Sequence, residues 1–339
     1  MLLGCTRQIP TTNEVLPILN ISETDYPTRK IDIHDIADVE YIPLETTENS
    51  LVGASYTFIS DKYIVTTEGF YGGDIYFFDR TGKFLWKFNR KGAGSEEFQR
   101  LNLIVVDFNM EECYVNDWHQ MLVYSFQGEF KRSIRVGGFR TMDDEMKADF
   151  NNYLYFNKLL DYDENYLLGY NETSGFHSRT LTDRHPYYLI SKSDGSSYPL
   201  DLVISNWISP HIYDEQGERI GSLWRSSLLR NGDELWISEI SSDTIYTLRN
   251  KELIPVAVQN PSVHSTSPPT TIYPSGFTDY FFVFDVVSLF TDKKNFTRPL
   301  AEAKTLVWNR CSNEMESWEI YNSDMSPSKS FLDVPTMDD

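Results

Sequence analysis

Residues 74–98 of this 339-residue chain hold an apolar run, Ile75-Tyr76-Phe77-Phe78, a polar turn with Gly82, a second apolar run from Phe84 to Phe88, and a glycine loop ending at Phe98. Aromatic and β-branched residues on both sides of a short Gly-containing turn specify a β-hairpin. Such side chains fit a pleated, half-buried surface, and Gly tolerates the positive φ of a tight turn. Weaker copies recur at residues 121–136, 187–203 and 244–258. A recurring hairpin restricts the chain to a repeat architecture, because each unit buries its apolar face only against its neighbours.

Each copy follows two further short apolar segments separated by a polar turn. The first strands are residues 54–59, 103–108, 153–160 and 223–229. The second strands are residues 63–66, 113–115, 166–168 and 234–237. Four strands per unit is the blade of a β-propeller. Gly82 and Gly128 are 46 residues apart and Gly195 and Asn250 are 55 apart, against about 40–50 residues for a blade. The longer step from Gly128 to Gly195 contains a polar segment, residues 171–186, read as an extended loop. A looser fifth unit has strands at 280–287, 304–309 and 315–321, with Cys311-Ser312-Asn313 at its turn. The connector 261–274, rich in Pro, Ser and Thr, shows no core-forming pattern. Residues 29–33 and 39–44 read as short strands without a unit of their own, and pairing with C-terminal strands would remove open sheet edges. The predicted fold is all-β: a six-bladed β-propeller of four-stranded blades whose last blade is incomplete or finished by the N-terminal strands. Residues 1–27 form a tether, 28–321 the propeller and 322–339 a tail.

The segment Val39-Glu40-Tyr41-Ile42-Pro43-Leu44-Glu45-Thr46, the hairpin Phe77-Phe78-Asp79-Arg80-Thr81-Gly82-Lys83 and the loop Gly92-Ala93-Gly94-Ser95-Glu96-Glu97-Phe98 resemble the six-bladed β-propeller lipoproteins of Gram-negative bacteria, a group similar in shape to NHL and TolB-like propellers. That group usually has Pro where this chain has Ser95. The resemblance spans residues 30–321 and is specific in its first third. It implies a fold and a cell-envelope address, not a reaction.

Acidic residues outnumber basic ones 50 to 30, giving a net charge of −20. Such a surface repels phosphate backbones, so nucleic acid is not an expected partner. No apolar run approaches the roughly 20 residues that a membrane-spanning helix needs. The start Met1-Leu2-Leu3-Gly4-Cys5 resembles a lipobox, in which the cysteine becomes a lipidated N-terminus. The basic and apolar regions of a signal peptide do not precede it, so this reading places the true start upstream. Cys5 is the expected lipidation site and the only expected membrane contact. Without acidic residues after the cysteine, the expected location is periplasm-facing, at the outer membrane or elsewhere in the envelope. Cys113 and Cys311 fall in different units and are expected to be buried free thiols.

Motifs for chemistry are weak. Asp161, Asp163, Asn165 and Glu172 nearly match a calcium loop, but Tyr166 replaces the required Gly and opens a strand, so an acidic hairpin turn is the better account. The Gly92-x-Gly94 loop lacks the third Gly and the helix of a dinucleotide site. Ser326-Pro-Ser-Lys329 has none of its companion motifs, and the six histidines form no close pair. No cofactor and no metal are expected. Two functions are open: a tethered module binding a glycan, peptide or partner protein, or a propeller hydrolase, lactonase or lyase with a metal in its central channel. For either, function is expected on the loops between second and third strands and between blades, which emerge on one side. This places Glu68, Tyr71, Glu96, Glu97, Arg100, Asp117, Trp118, His119, Glu239 and Asp243 at the candidate site. Trp118 is the favoured stacking platform for a sugar or peptide.

Overall fold

The computed structural model describes residues 16–22, 26–68, 72–117, 120–139, 153–171, 185–208, 211–213, 219–222, 228–232, 234–278, 280–288 and 303–330. In chain order the N-terminal strands are β1 (Ile18–Asn20) and β2 (Thr28–Asp32). The first sheet is β3 (Ala54–Ile59), β4 (Tyr63–Glu68), β5 (Asp74–Asp79) and β6 (Phe84–Asn89). The second is β7 (Leu103–Asp107), β8 (Glu112–Asp117), β9 (Gln120–Ser125) and β10 (Phe130–Arg135). A short ribbon, β11 (Gly138–Phe139) with β12 (Tyr153–Leu154), precedes the third: β13 (Phe156–Asp161), β14 (Tyr166–Asn171), β15 (Tyr187–Ser191) and β16 (Ser197–Pro199). A second ribbon is β17 (His211–Tyr213) with β18 (Arg219–Ser222). The fourth sheet is β19 (Leu228–Asn231), β20 (Glu234–Ile237), β21 (Thr244–Arg249) and β22 (Glu252–Asn260). The fifth is β23 (Thr270–Phe277), β24 (Phe281–Ser288), β25 (Ala303–Asn309) and β26 (Glu314–Asn322), with β27 (Ser326–Ser330) added to β26. The fold class is all-β and of β-propeller type. Among the described residues, five sheets share the antiparallel order first–second–third–fourth strand of a blade. The chain divides into two compact units, residues 40–203 and residues 1–39 with 204–339.

The hairpins form where their turn residues allow it. Gly82, Gly128 and Gly195 have φ of +84°, +82° and +79°, and Asn250 and Asn313 have φ of +48° and +58°. Within unit 40–203 the three glycines are also points of close approach. A Cβ on Gly82 would lie 2.1 Å from the Pro43 carbonyl oxygen, one on Gly128 2.7 Å from the Phe88 side chain, and one on Gly195 2.1 Å from the Arg135 carbonyl oxygen. Each turn therefore presses on the chain that precedes its own sheet. Residues 39–44 are not the strand that the sequence suggests. Instead Glu45 N–H donates to the Gly82 carbonyl (2.8 Å) and its carboxylate accepts from Phe84 N–H (2.9 Å). Two of the resemblance-bearing segments thus hold each other.

Between the first two sheets lies an apolar layer including Val65, Ile75, Phe77, Val106, Cys113, Val115, Leu122, Tyr124 and Phe126. Between the second and third lies Val105, Tyr114, Met121, Val123, Ile134, Phe156, Leu159, Leu167 and Ile190. The second contact ends in buried charge. Lys192 Nζ reaches Asp107 Oδ2 (2.5 Å) and Asp161 Oδ1 (2.6 Å), with the Lys192 and Asp107 side chains 5% and 1% exposed. Beside them Arg132 grips Glu112 with two 2.9 Å bonds and donates to the Lys192 carbonyl (3.3 Å). Asp163 accepts from Asn165 and Tyr166 N–H (both 2.8 Å), so the acidic segment is a hairpin turn.

In the other unit, β1 pairs in parallel with β22 and β2 in parallel with β26. Leu19 is fully buried against Trp236, Ile245, Val256 and Ile272, and Ile31 packs on Val307, Trp318 and Ile320. The N-terminal strands therefore extend two sheets as outermost strands, and β1 lies inside the segment read as a tether. The connector 261–274 is corrected: its end opens β23, where Thr271, Ile272 and Tyr273 are buried. Pro274 is accommodated because β23 is an edge strand and a bulge falls between Pro274 and Gly276. The third unit's first strand is broken into β12 and β13, and its fourth stops at Pro199. The loop 171–186 lies mostly outside the described residues. Cys113 is buried and free, with burial and the nearby Glu112 charge pushing its thiol up. Cys311, by contrast, is exposed.

Candidate functional site

The segment joining β6 to β7, residues 90–102, is fixed from within. Phe98 is fully buried in the apolar layer and anchors it. Around Phe98 the backbone closes a ring: Gly92 N–H donates to the Phe98 carbonyl (3.0 Å), Phe98 N–H to the Arg90 carbonyl (3.1 Å) and Glu97 N–H to the Gly94 carbonyl (3.1 Å). The Glu97 carboxylate folds back to accept from Gly94 N–H (2.9 Å). A Cβ on Gly92 would come within 2.0 Å of that carboxylate, so the glycine leaves room for it. The amides that gave this loop its likeness to a phosphate cradle are therefore occupied by the chain itself.

The loop is clasped to the β8–β9 turn. Asp117 Oδ2 accepts from Gln99 N–H (2.9 Å), and Tyr124 donates its hydroxyl to the Glu96 carbonyl (2.8 Å). Burial first, with Glu97, Asp117 and Glu96 adding to it, pushes the Tyr124 phenol up and keeps it a neutral donor. Asp117 Oδ1 is buried without a hydrogen-bond partner among the described residues. On the other side, Glu68 ends β4 and its carboxylate lies against Gly72. Gly73, at φ +98°, approaches Lys91 and Phe98. Glu68, Glu96, Glu97, Arg100 and Asp117 are thus gathered at one end of the first two sheets, where Glu96, Glu97 and Arg100 are exposed.

The sequence reading missed a neighbouring cluster. Asp74 accepts from Lys87 Nζ (2.7 Å), Asn89 Nδ2 (2.7 Å) and the Tyr76 hydroxyl (3.1 Å). Burial alone would raise the Asp74 carboxyl, but those three donors outweigh it and hold it below the usual range. Burial and the Asp74 charge push Tyr76 up to about 12. The available signal was the strand alternation, which puts Lys87 and Asn89 on one side of β6.

Tyr71, Trp118 and His119 lie outside the described residues. Glu239 and Asp243 belong to the other unit. Asp243 is partly buried and accepts from Val263 N–H (2.7 Å), and Glu239 is 2% exposed, so Glu239 is not displayed as a surface loop acid. The described residues hold no group of three or more His, Cys, Asp or Glu that could bind a metal ion.

A family model described as "Domain of unknown function (DUF4934)" matches residues 16–322. The chain belongs to the DUF4934 family. No curated protein matches it. Among solved structures it is similar to a Bacteroides fragilis protein with a provisional assignment to export, at 12% identity over 91% of this chain and 80% of that one, with a TM-score of 0.51. A member of the DUF4221 family from Bacteroides vulgatus gives 12% identity over 81% and 83%, with a TM-score of 0.49. The N-terminal domain of Nup159 gives 11% over 86% and 71%, with a TM-score of 0.41. At such identities the first likeness shows the fold alone, and the other two carry no argument about this DUF4934 chain.

Proposed function

We propose that this DUF4934 chain is a binding module of the cell envelope that holds a glycan, peptide or partner protein on the loop end of its first two sheets. One observation carries the reading. The 90–102 loop is closed on itself and clasped to Asp117, so Glu96 and Arg100 are presented from a preformed frame. A frame already held by internal hydrogen bonds loses little conformational freedom on binding, which favours recognition. The acids Glu97 and Asp117 act in the frame, while Arg100, Glu96 and Trp118 make the contacts. The envelope address rests on the lipobox-like Cys5 and on the export assignment of the Bacteroides fragilis neighbour.

The test is a glycan and peptide array probed with the full chain, followed by Trp118→Ala and Arg100→Ala. Loss of the captured ligand with an unchanged melting temperature supports the site. Retained binding in both variants overturns it. Expression of the complete gene with Cys5→Ala tests the anchor: release from the membrane fraction is expected, and identical fractionation removes the lipid from the proposal.

A further inference from the structure

Away from the loop end, and within unit 40–203, a cleft of about 410 Å³ opens between the end of β10 and the β15–β16 turn. Its walls are backbone held at close quarters. Gly195 lets the turn descend onto the Arg135 carbonyl, and Gly137, at φ +80°, lets the chain leave β10 within reach of the Leu154 carbonyl, 2.7 Å from where a Cβ would stand. Any side chain at either glycine would push these walls apart. Among the described residues the polar lining comes from Arg135, Asp194, Ser196 and Ser197, and Leu154 is the one apolar lining residue besides the glycines.

The charges here are unequal in availability. Asp194 is turned into its own hairpin, where its carboxylate accepts from Ser196 N–H (3.0 Å). Side-chain hydrogen bonding from Ser191, followed by the Ser196 contacts, holds it below the usual range. The backbone of Arg135 pairs with Gln120 in the ladder, while its guanidinium has no hydrogen-bond or ion-pair partner among the described residues. In a chain with 50 acidic and 30 basic residues, a cation at a cleft that pairs with no acid among the described residues is an open position for an anion. The guanidinium fork matches a carboxylate in two-point geometry. The cleft is larger than a lone carboxylate requires and falls in the roughly 300–1,000 Å³ range of small-molecule sites. With hydroxyls and peptide groups around it and one apolar contact, it suits a ligand that is polar throughout.

We infer that this cleft is a second binding site, for an acidic saccharide whose carboxylate meets Arg135 and whose hydroxyls meet Ser196, Ser197 and the turn backbone. It is independent of the loop-end site. The experiment is calorimetric titration of the full chain with trigalacturonate and with galactotriose, repeated on Arg135→Gln, Ser197→Ala, Arg100→Ala and Trp118→Ala. Saturable binding of trigalacturonate is expected, with galactotriose weaker by about tenfold or more, the size of one charge-assisted contact. Arg135→Gln should lose a similar factor at unchanged melting temperature, Ser197→Ala a smaller one, and the two loop-end variants none. No saturable binding of trigalacturonate overturns the inference, as does equal affinity for both sugars with Arg135→Gln silent. Binding lost in Arg100→Ala or Trp118→Ala but kept in Arg135→Gln also overturns it, and assigns the sugar to the loop end.

Discussion

Two sheet contacts in unit 40–203 use the same three backbone positions for opposite chemistry. At the first, Tyr63 begins a second strand opposite Asp79, Trp86 sits third in a fourth strand opposite Phe77, and Phe126 follows the last residue of the next sheet's third strand. At the second, Glu112 lies opposite Ser125, Arg132 opposite Val123, and Lys192 follows Ser191. The aromatic set packs Tyr63 edge-on to Trp86 and Phe126, with ring centroids at 5.7 and 5.8 Å. Trp86 Nε1–H donates to the Phe126 carbonyl (2.8 Å) just as Arg132 donates to that of Lys192. A side-chain N–H donated to the corresponding backbone carbonyl is common to both contacts, while the chemistry of the side chains around it changes. The geometry of the turn therefore joins the sheets, while the three side chains decide whether the joint responds to charge and acid.

The largest separation between the two joints should come from Lys192→Met. It leaves Asp107, 1% exposed, without its cation, and breaking a buried pair on one side costs about 3–5 kcal/mol. Urea unfolding should show this loss. The triple change Asp107→Asn, Asp161→Asn and Lys192→Met should recover most of it, because a neutral joint then resembles the aromatic one. A Lys192→Met protein as stable as the parent would mean that the charges do not hold the joint.

Acid gives the next effect. Burial alone would raise the Glu112 carboxyl, but hydrogen bonds from Arg132, Lys131 and Tyr114 outweigh burial and hold it at about 2, below the ordinary 4.5. A depressed carboxyl stabilises the fold fully above its unfolded value and loses that contribution as pH falls through its folded one. The window is thus about pH 4.5 down to 2, and the full shift corresponds to about 3 kcal/mol. Hydrogen exchange across this window should quicken in β10 and β15 before β6. At the aromatic joint Trp86→Phe should cost about 1 kcal/mol by removing one hydrogen bond, by the same amount at pH 3 and pH 7. Equal acid sensitivity of both joints would contradict the contrast.

These joints also mark how far the sequence could be read. Gly82, Gly128, Gly195 and Asn250 were legible as turns because a residue at positive φ is a local requirement, and all four have positive φ. The exchange of Tyr63, Trp86 and Phe126 for Glu112, Arg132 and Lys192 was not, because Asp107 and Lys192 are 85 residues apart and each alone reads as an ordinary exposed charge. β23 was hidden by Pro274, which argues against a strand until an edge position and a bulge are known. At the candidate site, Glu97 and Asp117 looked like free acids because a carboxylate spent on a loop amide leaves no periodic trace. Glu239 was placed on the surface by its position between strands, although it is buried.

The smallest expected effect tests whether the ionic joint is a network or a sum of pairs. Glu112 accepts from both Lys131 and Arg132, but the two donors differ in setting. Lys131 is 40% exposed and adds one bond at 2.5 Å. Arg132 is 32% exposed, bonds both carboxylate oxygens, contacts the Tyr114 hydroxyl (3.0 Å) and reaches across to the Lys192 carbonyl. Removing Lys131 leaves every Glu112 oxygen with a donor, since Arg132 and Tyr114 remain. Lys131→Ala should therefore cost no more than about 1 kcal/mol, the usual worth of an exposed pair, and that loss should shrink in 1 M salt, where screening acts over about 3 Å. Arg132→Ala should cost more and keep its cost in salt, because it strips a buried carboxylate and an inter-sheet bond together. If the two substitutions prove equal and equally salt-sensitive, Glu112 is held by interchangeable charges, and the positional match between Arg132 and Trp86 has no energetic content.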